Sequence, residues 1–116
     1  MTDKIETGAN GENLAAEFMA KKGFRVVARN YRARRAEIDL IVQRDNWLIF
    51  VEVKTRASNA YGEPESFVSD AQRRLIFDAA EDYIFRTNWR GHIRFDIISV
   101  KPGPTPEIVH FEDAIS

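Results

Sequence analysis

The sequence predicts an α/β fold, with patterns in the order helix, strand, strand, strand, helix, strand. Three observations carry that expectation. Leu14, Ala15, Phe18, Met19 and Lys22 recur at helical spacing within residues 9–22. Two apolar runs, 37–43 and 47–54, meet at the short polar pair Asp45-Asn46, as in a β-hairpin. A second helical stripe, from Leu75 and Ile76 through Ala79, Ala80, Tyr83 and Ile84, precedes an alternating run over 92–101.

Residues 1–8 are polar and are expected to be disordered, which leaves 9–116 as a single domain. Asn10 suits the N-cap of the first helix and Gly23 its stop. Phe24, Val26 and Val27 mark a strand over 24–31. After the hairpin, residues 56–68 (RASNAYGEPESFV) are small and turn-forming, and read as a substrate-facing loop. Ser69 and Gln72 fit a capping box at the start of the second helix. Along 92–101, Ile93, Phe95 and Ile97 take one face while Arg94, Asp96 and Ile98 take the other. Pro102, Pro104 and Pro106 mark a stiff turn, and 107–111 fit a short edge strand. Asp96, His92 and His110 read as structural, because the histidines lack a metal-pair spacing.

The hairpin AEIDLIVQRDNWLIFVEVKTR, residues 36–56, carries charge where a core strand should not. Burying a carboxylate or an amine is costly unless it is paired or binds a metal. Alternation puts Glu52 and Lys54 on one face, and Glu37 with Asp39 opposite Ile38, Leu40 and Val42. A two-residue turn pairs Arg44 with Trp47, and counting outward opposes Asp39 to Glu52 and Glu37 to Lys54. Opposed carboxylates destabilise a sheet, so a cation between Asp39 and Glu52 makes sense of them. Alone, the E-x-K of Glu52 and Lys54 would read as an edge ion pair. The apolar flanks and the facing aspartate favour a site.

Composition is that of a globular protein, 44% hydrophobic and 30% charged. The absence of cysteine excludes disulfides and thiolate metal ligands. No apolar run approaches the roughly 20 residues of a membrane span, and the polar start lacks a signal-peptide core, so a cytoplasmic location is expected. Net charge is only −1. Its distribution is uneven: residues 20–36 hold Lys21, Lys22, Arg25, Arg29, Arg32, Arg34 and Arg35 and no acid. Such a run beside carboxylates suits a phosphate backbone. Arg73, with Gln72, falls in the first turn of the second helix, where anions are favoured. Glu12 lies at the edge of the first helix's apolar stripe and is accounted for by the helix dipole alone.

The combination E…D…E-x-K in this element order resembles the PD-(D/E)xK superfamily, the restriction-endonuclease-like fold. It is closer still to the small bacterial YraN-like proteins of that superfamily. Gly11-Glu12, Arg29-Asn30-Tyr31-Arg32, Glu37-Ile38-Asp39-Leu40-Ile41, Phe50-Val51-Glu52-Val53-Lys54-Thr55-Arg56, Gln72-Arg73-Arg74-Leu75 and Arg94-Phe95-Asp96 carry the resemblance. It implies a mixed β-sheet flanked by helices and a metal-dependent DNA endonuclease or phosphodiesterase. Asp39 and Glu52 would bind Mg²⁺ or Mn²⁺, and Lys54 would act on the reacting water or phosphate. Archaeal Holliday-junction resolvases, similar in fold, imply that Glu12 joins the metal site. Gln72, Arg56 and the arginine-rich segment would hold the DNA backbone. Ala36 and Ala71 depart from the family's usual glycine and lysine, and Ala71 weakens the expected DNA affinity. Cleavage of branched DNA would need two active sites and hence a homodimer, for which no surface is legible. The alternative is a non-catalytic nucleic-acid-binding or scaffolding module that has kept the fold.

Overall fold

The computed structural model describes residues 3–56 and 68–116, with side chains described from residue 11 onward. Helix α1 (Asp3–Lys21) leads into strands β1 (Arg25–Ala33), β2 (Ala36–Arg44) and β3 (Trp47–Thr55). Helix α2 (Asp70–Thr87), β4 (His92–Lys101) and β5 (Glu107–Phe111) complete the chain. The strands form one mixed sheet in the order β1-β2-β3-β4-β5. Among the described residues β3 and β4 pair in parallel, while β1–β2, β2–β3 and β4–β5 are antiparallel. Among the described residues no helix is long and apolar enough to cross a membrane.

The two helices cover opposite faces. Ala15 and Met19 of α1 pack on Leu40, Val42, Ile49, Val51, Ile98 and Val100. Ala79 and Ala80 of α2 pack on Ile41, Leu48 and Phe50. The alternation expected in β2 and β3 is therefore present, with one exception. Ile38 packs on the α2 side with Ile41, not with Leu40 and Val42. The exception lies where the β2–β3 ladder ends, at Leu40 opposite Val51. Beyond that pair the main-chain ladder between β2 and β3 stops.

The first helix begins earlier than expected. Residues 3–8, expected to be disordered, are helical from Asp3. The expectation followed the polar composition of these residues, yet the helical backbone runs through them and through Gly8 and Gly11, each unfavourable in a helix by about 1 kcal/mol. Gly23, at φ 92°, ends the helix as expected. Its neighbours tie the exit down: Gly23 N–H donates to Ala20 O at 3.0 Å and Phe24 N–H to Met19 O at 3.1 Å.

Ser69 caps α2 as expected, its Oγ accepting from Gln72 N–H at 3.1 Å. The box is only half closed, since the Gln72 side chain turns elsewhere. Asn88 ends the helix in the left-handed region at φ 55°. The expected substrate-facing loop falls mostly on residues 57–67, outside the described residues.

Candidate functional site

The site forms where β2 and β3 part. A continued ladder would direct the Val53 N–H at the β2 main chain. Instead it donates to Asp39 Oδ2 at 2.7 Å. The aspartate thus replaces a backbone acceptor and stands in the gap between the strands. Glu52, the residue counted opposite it, lies within hydrogen-bonding reach of the Asp39 carboxyl.

Glu52 is held from its other side. Its Oε2 accepts from Lys54 Nζ at 3.2 Å and from Gln72 Nε2 at 2.8 Å. Both members of the Glu52–Lys54 pair are mostly buried, at 12% and 17% exposure, so solvent screens it less than a surface bridge. Burial, and then the negative charge of Glu52, push the Asp39 carboxyl up to about 8, against 3.8 ordinarily. The Val53 N–H pulls the other way without prevailing. Asp39 therefore keeps its proton at neutral pH.

The expected pairing of Glu37 with Lys54 is not found. Lys54 turns back to Glu52, and Glu37 pairs with Arg32 across β1–β2 at 3.4 Å. The count assumed that the β2–β3 ladder continues to residue 37, and it stops at Leu40. Glu12 reaches the site indirectly, its charge adding to the rise at Asp39. Its partner is Asn30. With the amide nitrogen facing the carboxylates, Asn30 donates to Glu12 Oε1 at 3.0 Å and Glu37 Oε1 at 2.9 Å. Asn30 has φ 50°, a conformation asparagine adopts more readily than most residues. The sequence alone assigns this residue no role. An asparagine inside an arginine-rich strand was the available signal.

Gly11 brings α1 to this position. A Cβ there would lie 2.2 Å from Thr55 Oγ1, so only glycine permits so close an approach of helix to strand. Glu12, the next residue, is delivered beside the end of β3 by that contact.

An open cleft of about 290 Å³ is lined by Arg35, Glu37, Asp39, Glu52, Gln72 and Leu75, among others. A neighbouring cleft of about 200 Å³ shares Arg35, Ala36 and Glu37 with it and adds Arg32 and Arg34. Of the arginines expected to meet phosphate, Arg35 thus lines the carboxylate cleft and Arg32 and Arg34 the cleft next to it. Gln72, expected on the DNA backbone, donates to Glu52 from the wall of the same cleft. Arg73 bridges to Asp70 at 3.2 Å, and its buried Nε has no partner among the described residues. Arg56 follows β3, its N–H donating to Val100 O at 2.8 Å.

Asp96 belongs to a different structure. It is wholly buried and accepts from Arg94 at 2.8 and 2.9 Å, His110 Nε2 at 2.7 Å and Asp113 N–H at 2.9 Å. Burial would raise its carboxyl, but these donors together hold it below the usual carboxylate value. Lys22 Nζ donates to His110 Nδ1 at 2.8 Å, which fixes the ring with its proton on Nε2. Asp96 and His110 are structural, as expected. His92 stacks on Trp47 with centroids 4.8 Å apart.

The donors present are hard oxygens with a lysine beside them. Among the described residues no three His, Cys, Asp or Glu side chains form a ready-made metal cage. A carboxylate pair alone fits a cation such as Mg²⁺, which keeps several waters and takes only one or two carboxylates.

A family model described as "Uncharacterised protein family UPF0102" matches residues 11–100. That interval runs from the close-packed Gly11 to Val100, and holds Glu12, Asp39, Glu52, Lys54 and Gln72. A UPF0102 protein of Flavobacterium psychrophilum is 42% identical over 98% of this chain and 97% of that protein. One from Cytophaga hutchinsonii is 39% identical over 96% of each chain, and one from Symbiobacterium thermophilum 45% identical over 84% and 83%. With a match across most of its length and relatives this similar from end to end, the chain belongs to the UPF0102 family.

Proposed function

We propose that this chain is a metal-dependent nuclease of the PD-(D/E)xK type, hydrolysing a phosphodiester in DNA. One observation carries the reading. Asp39 and Glu52 are held so close in an open cleft that one keeps its proton to about pH 8, with Lys54 on the same strand face. A carboxyl pair of that kind is relieved by a cation.

Asp39 and Glu52 would hold Mg²⁺ or Mn²⁺, with Glu12 contributing through water. The bound ion supplies a water of lowered pKa and offsets charge on the phosphate. Gln72 fixes the Glu52 carboxylate in one rotamer. Asn30 positions Glu12 against Glu37. Lys54 presents its ammonium to the phosphate, where negative charge grows in the transition state. Arg32, Arg34 and Arg35 neutralise flanking phosphates and carry no base-reading geometry, so selectivity is for DNA shape. This reading expects a cytoplasmic protein, and action on four-way junctions would take a homodimer.

The test is cleavage of supercoiled, flapped and branched DNA with Mg²⁺ or Mn²⁺. Wild type is expected to cut at least one form, and Glu52→Gln or Lys54→Ala to slow it roughly 100-fold or more. Cleavage unchanged in Glu52→Gln refutes the reading.

A second reading, a DNA-binding module without turnover, is favoured by the engagement of Glu52 Oε2 by both Lys54 and Gln72. It predicts salt-dependent binding to DNA with no product in the same assay.

A further inference from the structure

The carboxylate cleft does not end at the arginines. Arg34 lines both the arginine cleft and a third opening of about 330 Å³, whose other walls are Glu81, Asp82 and Phe85 of α2. Three clefts joined by shared residues thus run from Asp39 and Glu52, past Arg35 and Arg34, to Phe85. Phe85 is 87% exposed. Its neighbours in sequence, Tyr83 and Ile84, pack on the sheet.

The charge changes along this path. Around Arg32, Arg34 and Arg35 cations outnumber the single acid Glu37. At the far end Arg34 and Arg86 are balanced by Glu81 and Asp82. Asp82 is bound by Arg86 at 2.9 Å and by the Tyr31 hydroxyl at 2.5 Å. A net-positive stretch suits phosphate. A balanced opening walled by an exposed aromatic ring and carboxylate acceptors suits an uncharged, flat group with amino donors, which is a nucleobase.

We infer that the substrate carries an unpaired strand, and that one of its bases stacks on Phe85 while its backbone crosses Arg35 and Arg34. The inference rests on the proposal that this cleft binds DNA, and names the substrate class for it. A base inside a duplex has both faces stacked and cannot reach the ring; an unpaired base can. Helical rise puts Phe85 about 20 Å along α2 from Gln72, which touches Glu52. At 3.4 Å per stacked nucleotide that distance spans roughly six nucleotides at most.

The experiment is fluorescence anisotropy at low salt in EDTA, so that nothing is cut. The probes are a blunt duplex, the same duplex with a six-nucleotide single-stranded tail, and the same tail made abasic. The tail is expected to tighten binding of wild type roughly tenfold, within the range for one base stacked on an aromatic ring. Phe85→Ala and Phe85→Leu are each expected to remove most of that gain and leave duplex affinity unchanged. The abasic tail is expected to give wild type little gain. The side chain's exposure lets both variants fold, which a thermal melt checks. Equal loss on duplex and tailed DNA, no loss on either, or full retention by Phe85→Leu overturns the inference while leaving DNA binding intact. A dimer that falls apart in Phe85→Ala with tailed binding unchanged assigns the ring to a second copy of the chain and also overturns it. Failure of wild type to bind any probe overturns the DNA reading along with it.

Discussion

Burial and the neighbouring Glu52 carboxylate leave Asp39 protonated to about pH 8 in the metal-free protein, against 3.8 for a free side chain. The folded chain therefore binds a proton that the unfolded chain has already lost over that window. The stabilisation is complete below about 4 and is lost as pH rises through about 8. Metal-free protein is expected to melt lower at pH 9 than at pH 6, and Asp39→Asn to flatten that difference. Calorimetric melts of the two proteins at both pH values check it; an equal slope in Asp39→Asn contradicts it. The identities of Asp39, Glu52 and Lys54 were legible in the sequence because strand alternation has a period of two and the turn at Asp45-Asn46 fixes the count. The pairing of Lys54 was not. Asp39 itself takes the Val53 N–H, ends the regular ladder, and frees Lys54 to turn to Glu52. Asn30 was missed for a related reason: its role depends on a positive φ and on two glutamates from different elements.

Element placement depends on one close contact. Alanine at position 11 would ordinarily favour a helix by about 1 kcal/mol. Here its Cβ would meet Thr55 Oγ1 at 2.2 Å and Thr55 Cβ at 3.3 Å. Gly11→Ala is therefore expected to destabilise the protein by about 1–3 kcal/mol through overpacking, and Thr55→Ala in that background to recover most of it. Urea denaturation of the single and double variants measures the coupling; additive effects would show that the helix does not depend on this contact. The elements themselves were well legible, down to the Ser69 cap, because the apolar periods are clear. The helix start was not, because residues 3–8 are polar and Asn10 resembles an N-cap, while Gly11, unfavourable in a helix, serves packing.

At the scale of the molecule, the sheet is held at its far edge by Asp96, which gathers Arg94 of β4, His110 of β5 and the Asp113 N–H beyond. Removing its charge leaves the half-buried Arg94 guanidinium with Glu112 as its remaining ion-pair partner and the buried His110 without its carboxylate. Asp96→Asn is expected to cost about 3–5 kcal/mol in denaturant titration at pH 7. Because its carboxyl is held below the usual value, wild type loses this stabilisation only as pH falls through the acid range. Family resemblance implied a mixed sheet, but neither the strand order nor the parallel pairing of β3 with β4 was legible in any pattern of the residues. Parallel pairing is decided by the crossover through α2, which no local period records. The arginines flanking the cleft act at this scale too. Arg34→Ala and Arg35→Ala are each expected to reduce the salt dependence of DNA binding by about one ion per charge removed. The nuclease reading requires that Asp39 and Glu52 form a cation site. Crystals soaked in Mn²⁺ and measured for anomalous scattering test it directly. The account predicts a peak within coordinating distance of both carboxylates, absent in Glu52→Gln; no peak there in wild type would contradict it.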